Sequence, residues 1–147
     1  MRIELIEDAS PELREAVNLH LRTFNRLANP AWYAAVALPE NETQSLNLFT
    51  FDDAGLPRAG LFADTQLLWL KISILSVHVD CRGQGLGTQL MYEAEAIAVA
   101  RGCRFAYVDT MEYQAPRFYE KLGYAIVGRL ANWDSHGHAK LFLTKQL

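Results

Sequence analysis

The stretch VHVDCRGQGLGTQL, Val77–Leu90, places three glycines at alternate positions between an apolar segment and a segment with helical spacing. A simple turn needs one glycine, so Gly83, Gly85 and Gly87 are more than a change of chain direction requires. Glycines allow successive backbone N–H groups to face one ligand, and the N-terminus of a following helix adds unpaired donors and a positive dipole end. The pattern therefore predicts an anion-binding loop between a strand and a helix.

The segments on both sides of this loop predict a mixed sheet of about six to seven strands flanked by about four helices, an α/β (α+β) protein. A helix is predicted after Ser10 as N-cap with Pro11 in its first turn, and a short one after Asn29. The helix after the glycines presents Glu93 and Glu95, which we interpret as its solvated face. The predicted strands are MRIELIE, SLNLFTF, PRAGLFADT, LLWLKISILSVHVD, CRFAYVDT, YAIVGRL and HAKLFLTKQL, and YQAPRFYEKLGY is predicted as a short helix.

Composition limits the class of protein to an ordinary globular domain over residues 1–147, with 50% hydrophobic and 21% charged residues. No apolar run approaches the roughly 18 residues of a membrane span, and the acidic N-terminal segment does not resemble a signal peptide. A net charge of −3 gives no basic surface for nucleic acid. Cys81 and Cys103 match no disulfide framework, so we expect reduced thiols and a cytoplasmic protein.

Other phosphate-binding loops with several glycines fit less well. A Walker loop needs a lysine after its last glycine, whereas Gly87 is followed by Thr88. A dinucleotide fingerprint counted from Gly83 reaches Thr88 at its sixth position, where glycine or alanine is required. Asp109 does provide an acidic residue further along the chain, so a nucleotide-binding enzyme stays as an alternative.

Arg82-x-x-Gly85-x-Gly87, between a long strand and a helix, resembles the acetyl-CoA-binding motif of the GNAT N-acetyltransferase superfamily. A second segment, APRFYEKLGY, resembles another characteristic segment of this family. In it, Phe118 and Tyr119 precede a Gly-aromatic pair at the end of a short helix. The order of predicted elements is also similar, so the resemblance spans nearly the whole chain.

The resemblance implies a GNAT-like fold and transfer of an acetyl group from acetyl-CoA to a primary amine of a small molecule or peptide. In this family the amine attacks the thioester directly in a ternary complex, and the pantetheine arm lies between two strands that splay apart. A sensor of the same fold that binds acyl-CoA without catalysis is the alternative. Similar domains pair through terminal strands, which makes a homodimer a further expectation.

Carried over to this sequence, the resemblance assigns the backbone of Val77 and Val79 to the pantetheine arm and the loop from Arg82 to Thr88 to the pyrophosphate. Tyr119 would protonate the departing thiolate as the catalytic acid. The residues expected to contact the cofactor are Val77, His78, Val79, Arg82, Gly83, Gln84, Gly85, Leu86, Gly87, Thr88, Gln114 and Phe118.

The group that accepts the proton of the amine stays open, with His78, Asp109, Glu112 and a water chain as candidates. His136 and His138 have a spacing that can suggest a metal, but no third ligand is apparent, so no metal is expected. The segment LANWDSHGHAK borders the acceptor pocket in similar proteins. Trp133 and His138, both within it, are therefore candidates to contact the substrate. The acceptor itself does not follow from fold or cofactor.

Overall fold

The computed structural model describes all residues from 1 to 147. It contains one sheet of six strands. The α-helices are α1 (Pro11–Ala28), α2 (Pro30–Val36), α3 (Leu86–Ala100) and α4 (Pro116–Lys121). The strands are β1 (Gln44–Phe51), β2 (Pro57–Gln66), β3 (Trp69–Val77), β4 (Phe105–Met111), β5 (Ala125–Leu130) and β6 (Lys140–Gln146). None of the helices combines the length and the apolar character needed to cross a lipid bilayer.

The helices α1 and α2 belong to the first of two compact units, which cover residues 1–42 and residues 43–147. The Ser10 hydroxyl accepts a hydrogen bond from the backbone N–H of Leu13 at 3.3 Å and so caps α1, as predicted. The side chain of Asn29 caps α2 in the same manner. A single domain over residues 1–147 stays a prediction.

The strand predicted for MRIELIE is wrong, because residues 1–10 contain no strand. Alternating apolar side chains indicate which face of a strand would be buried. A strand forms, however, only where a neighbouring segment supplies partners for its backbone N–H and C=O groups. Periodicity within one short segment cannot reveal that partner.

The six strands of the second unit are arranged in the order β1-β2-β3-β4-β6-β5. β1, β2 and β3 form an antiparallel meander, and β4, β6 and β5 are also antiparallel neighbours. β3 and β4 are parallel and are joined through α3. The sheet is therefore mixed, and it lacks the two βαβαβ halves of a dinucleotide-binding fold.

Helix α3 is held against one face of the sheet by a continuous apolar core. Its inward residues Leu90, Met91, Ala94 and Ala98 are all at most 5% exposed and pack with buried residues of β2 and β3. Burial of one leucine or methionine side chain contributes about 1.5–3 kcal/mol. This anchoring keeps the N-terminus of α3, and with it the glycine loop, at a constant position relative to β3.

A buried polar cluster also connects α3 to the distant strand β6. Glu95 accepts a hydrogen bond from the Tyr124 hydroxyl at 3.0 Å and pairs with the Lys145 Nζ at 2.6 Å. Glu93 is exposed as predicted, but the interpretation of Glu95 as solvated is wrong, since only 8% of it is accessible. Both partners lie far away in the sequence, which is why helical periodicity alone could not identify them.

Candidate active site

β3 and β4 pair only from Trp69–Ile72 with Phe105–Val108, and a cleft opens where they diverge. Beyond this point β3 remains paired with β2, and β4 with β6, on their outer sides. The cleft has a volume of about 700 Å³ and is lined by six consecutive residues of β3, Ile72–Val77. Side chains of a strand alternate between faces, so a lining by consecutive residues means that the strand backbone is itself exposed to the cleft.

The glycine loop adopts a backbone conformation that its residue type explains. Gly83 and Gly85 have φ angles of +75° and +83°, in the left-handed region that residues with a Cβ rarely adopt. Gly85 is the N-cap of α3 and supplies no side-chain hydrogen bond to the first turn. The first N–H groups of α3 therefore keep no capping partner and are available to an anion.

Gly87 lies where three elements meet at the mouth of the cleft. A Cβ at this position would lie 3.4 Å from the Phe118 ring of α4 and 3.5 Å from a methyl group of Val77. The Arg82 Nε donates a hydrogen bond to the backbone carbonyl of Val77 at 3.3 Å, and Arg82 also lines the cleft. A side chain at Gly87 would therefore reduce the space between α3, α4 and β3.

Tyr119 of α4 faces the cleft from within the core. It is 6% exposed, and its ring packs edge to face against Phe118 and Tyr124, with centroid distances of 5.2 and 5.9 Å. Burial, and secondarily the charge of Asp109, raise the pKa of the Tyr119 hydroxyl above the ordinary tyrosine value. The phenol therefore stays protonated at neutral pH and can act as a proton donor.

Asp109 carries a charge into the cleft from β4. Its Oδ1 pairs with the Lys140 Nζ at 2.7 Å, and its Oδ2 accepts a hydrogen bond from the Tyr107 hydroxyl at 3.0 Å. Both oxygens of this carboxylate thus have partners within the protein.

Gln114 closes the turn that follows β4. Its Oε1 accepts hydrogen bonds from the backbone N–H of Met111 at 2.8 Å and from the Thr110 hydroxyl at 3.1 Å. The side-chain carbonyl is therefore used by the protein, while the side-chain NH₂ group remains a donor.

The cleft brings together about half of the predicted site residues. Those that line it are Val77, Arg82, Gly87, Gln114, Phe118 and Tyr119. The predicted residues outside its lining are His78, Val79, Gly83, Gln84, Gly85, Leu86 and Thr88. Most of the second group form the glycine loop and the first turn of α3, next to the cleft mouth. His78 lies instead in a smaller neighbouring hollow, and Ile74 and Ser76 line both this hollow and the cleft.

Four polar residues of the cleft were not identified from the sequence: Ser73, Ser76, Thr110 and Tyr113. Ser73 and Ser76 face the cleft because β3 loses its partner there, and the point at which two strands separate has no periodic signal. Tyr113 lies two residues after the end of β4, in a turn in which the Gln114 side chain accepts a hydrogen bond from the backbone N–H of Met111.

The loop between β5 and β6 lies beside the cleft at Tyr113. The Nδ1 of His138 is 2.6 Å from the Oδ2 of Asp134, and its ring meets the Tyr113 ring edge to face at 5.0 Å. Trp133 covers the Lys140 Nζ at 5.0 Å from its ring centroid. No group of three or more His, Cys, Asp or Glu side chains is arranged to hold a metal ion.

Comparisons with known proteins agree with this geometry. The model of the acetyltransferase (GNAT) domain family matches residues 48–126. Blasticidin-S acetyltransferase of Streptomyces morookaense is 32% identical over 86% of this chain and 96% of its own length. The crystal structure of an acetyltransferase from Bacillus cereus has a TM-score of 0.77 at 27% identity and covers 98% of both chains.

An aminoglycoside 6′-N-acetyltransferase complexed with coenzyme A has the same fold, with a TM-score of 0.61 at 21% identity over 99% of this chain and 97% of that chain. The family match covers the glycine loop, both parted strands and α4 with Tyr119. The chain belongs to the GNAT family of N-acetyltransferases, enzymes whose acetyl donor is acetyl-CoA.

Proposed function

We propose that this enzyme transfers the acetyl group of acetyl-CoA to a primary amine of a small molecule, by direct attack in a ternary complex. The observation that carries the proposal is the cleft between β3 and β4, which exposes the backbone of β3 and has the protonated Tyr119 in its wall. A cleft of this form suits an extended thioester arm, and Tyr119 in its wall supports the assignment of a proton donor to the sulfur.

The cofactor's pyrophosphate is held by the glycine loop and the N-terminus of α3, with Arg82 adding positive charge. The uncapped first turn of α3 and the left-handed Gly83 and Gly85 support this assignment. The pantetheine arm then follows the free edge of β3 near Val77. Gly87, without a side chain, leaves the passage between loop and cleft open.

The chemical step forms a bond between the amine nitrogen and the thioester carbonyl carbon and breaks the bond between that carbon and sulfur. A backbone N–H of β3 near Val77 stabilises the oxyanion, because donors fixed in advance cost little reorganisation. The departing thiolate takes the proton of the Tyr119 hydroxyl. Burial raises the pKa of Tyr119 above the ordinary tyrosine value, so the phenol is in its acid form when the reaction begins.

The acceptor is a small amine, for which an amino-bearing antibiotic is the first candidate. A relative that is 32% identical is named for acetylation of blasticidin S.

The experiment that tests this proposal measures thiol release from acetyl-CoA with blasticidin S, kanamycin, spermidine, n-butylamine and a lysine peptide as acceptors. We expect an amine-dependent rate with at least one small molecule and an acetylated product by mass spectrometry. In parallel, CoA at 100 times its Kd should stabilise the protein by about 2.7 kcal/mol, whereas NAD and ATP should not. Stabilisation by NAD or ATP alone, or thiol release with none of the amines, would contradict the proposal.

The cytoplasm is the proposed compartment. Cys81 and Cys103 are both free thiols, which suits a reducing environment. A homodimer formed through terminal strands stays a prediction, which light scattering of the purified protein measures directly.

A further inference from the structure

Direct attack on a thioester needs an amine that has lost its proton, so the proposed reaction requires a proton acceptor. Alkyl amines ordinarily have a pKa near ~10.4 and are mostly protonated at neutral pH. His78 does not line the cleft; it lies beside Arg58 in a neighbouring hollow that shares Ile74 and Ser76 with the cleft. Its Nδ1 also accepts a hydrogen bond from the backbone N–H of Asp80 at 3.4 Å.

The two carboxylates proposed from the sequence are already committed to other partners. Asp109 has Lys140 on one oxygen and the Tyr107 hydroxyl on the other. The pKa of Glu112 is lowered, mainly because its carboxylate accepts a hydrogen bond from the backbone of Ala139. A carboxylate stabilised as an anion in this way is a weak base.

His138, by contrast, has the hydrogen-bond arrangement of a base. Its Nδ1 lies 2.6 Å from the Asp134 carboxylate, which only accepts hydrogen bonds, so Nδ1 carries the proton of the neutral ring. The Nε2 lone pair is then free to accept a proton. The ring lies against Tyr113, which lines the cleft, and the side chain is 48% exposed and so can release a proton to solvent.

The loop that carries His138 is held in place by its own side chains. The Asn132 Oδ1 accepts a hydrogen bond from the backbone N–H of Gly137 at 2.8 Å. The Asp134 Oδ1 accepts a hydrogen bond from the backbone N–H of His138 at 3.1 Å, while its Oδ2 holds the ring. The backbone of Trp133 donates to the carbonyl of His138 at 2.8 Å. The imidazole is therefore oriented before any substrate arrives.

We infer that Nε2 of His138 accepts the proton of the acceptor amine, and that Asp134 is a positioning residue for this imidazole. The inference rests on the proposed function. The proton reaches Nε2 through water, because His138 itself does not line the cleft and the Tyr113 ring lies between them.

The step balances as follows in protons and electron pairs. His138 takes one proton from the ammonium group, and the freed lone pair forms the bond to the thioester carbon. The electron pair of the carbon–sulfur bond leaves with sulfur, which takes the Tyr119 proton. The second proton lost by the nitrogen restores the Tyr119 phenol through water, and His138 returns its own proton to solvent.

The charged and titratable groups around His138 come from three elements. Asp134 belongs to the same loop, and Tyr113 comes from the turn after β4. Glu112 also follows β4, and its carboxylate pairs with the Arg129 guanidinium of β5 at 3.0 Å. The charge of His138 is one of the smaller causes that lower the pKa of Glu112. These groups also affect the pH profile of the reaction.

The test compares His138→Gln with His136→Gln as the matched control, using the full chain. His136 lies on the same loop, and its Nδ1 contacts the backbone carbonyl of Asp134 at 2.7 Å rather than the carboxylate. With n-butylamine, the H138Q variant should lose roughly 100-fold in kcat/KM, the lower end for a general base. With 2,2,2-trifluoroethylamine, which is largely unprotonated at neutral pH, the loss should be much smaller. H136Q should resemble wild type with both amines.

A second readout does not depend on the acceptor. Nitrogen chemical shifts of labelled histidines should place the proton of neutral His138 on Nδ1, and the Asp134→Asn variant should lose this preference. A proton on Nε2, or equal losses of H138Q with the two amines, would overturn the inference alone. Wild-type enzyme without thiol release from the amine panel would overturn the proposed function, and the inference with it. Unchanged CoA stabilisation of H138Q confirms that the variant is folded.

Discussion

At the scale of single residues, Tyr119 is buried in the core and also lines the cleft. Its ring packs against Phe118 and Tyr124. We predict that Tyr119→Phe lowers kcat by roughly 100-fold, since the acid is lost. The Kd for CoA should be unchanged, because phenylalanine keeps the same ring packing. Thiol-release kinetics and isothermal titration with CoA measure the two quantities.

Tyr92→Phe is the control for this substitution, because Tyr92 lies on the outer face of α3 and is 56% exposed. It should leave both kcat and the Kd for CoA at wild-type values. A Tyr119→Phe variant with wild-type kcat would assign the proton of the thiolate to another donor or to water.

At the scale of elements, the first turn of α3 approaches α4 and β3 closely at Gly87, which has no side chain. We predict that Gly87→Val weakens CoA binding by about tenfold or more, equivalent to about 1.4 kcal/mol. The added Cβ would meet Phe118 at 3.4 Å, and the two methyl groups would enter the passage to the cleft. Titration calorimetry with CoA measures this change.

Ala96→Val is the matched control, since it introduces the same residue on the exposed face of the same helix. Ala96 lies away from the cleft, so its replacement changes helix propensity without entering the passage. Equal affinities of the two variants for CoA would contradict the assignment of this passage to the cofactor.

At the scale of the whole molecule, titrating groups predict loss of stability at both ends of the pH range. Backbone hydrogen bonds, from His136 and Ala139 first, lower the pKa of Asp134 and Glu112 in the folded state. Their contribution is present above the unfolded-state pKa and is lost as the pH falls through the folded value. Burial raises the pKa of Tyr124, so its contribution is present below about 10 and is lost as the pH rises further.

Thermal unfolding between strongly acid and strongly alkaline pH measures these effects. In a plot of stability against pH, the alkaline limb is the loss of stability at high pH. Tyr124→Phe should flatten this limb, since no buried phenol then has to ionise. It should also lower stability at neutral pH by about 1 kcal/mol through loss of the hydrogen bond to Glu95. Tyr92→Phe should keep the wild-type alkaline limb. An alkaline limb that is identical in Tyr124→Phe and wild type would contradict this account.

Local signals in the sequence predicted most elements but not where they meet. The caps at Ser10 and Asn29 and the glycine loop were predictable, because each depends on residues within one turn of the chain. The strand expected at MRIELIE and the solvated role expected for Glu95 failed for one reason. Both depend on partners that are distant in the sequence, and the periodicity of a single segment does not identify such partners.

The sequence by itself determined that a glycine loop joins a strand to a helix, because glycine readily adopts left-handed φ angles such as those of Gly83 and Gly85; that this loop binds an anion stays a prediction. It also marked Tyr119 as a candidate acid by its place in a motif. Only the tertiary structure decided that β3 and β4 part after Ile72, that Tyr119 opens into that gap, and that His138 stands beside it on a different loop. The physical reason is that separation of strands and convergence of loops depend on packing between segments far apart in the chain.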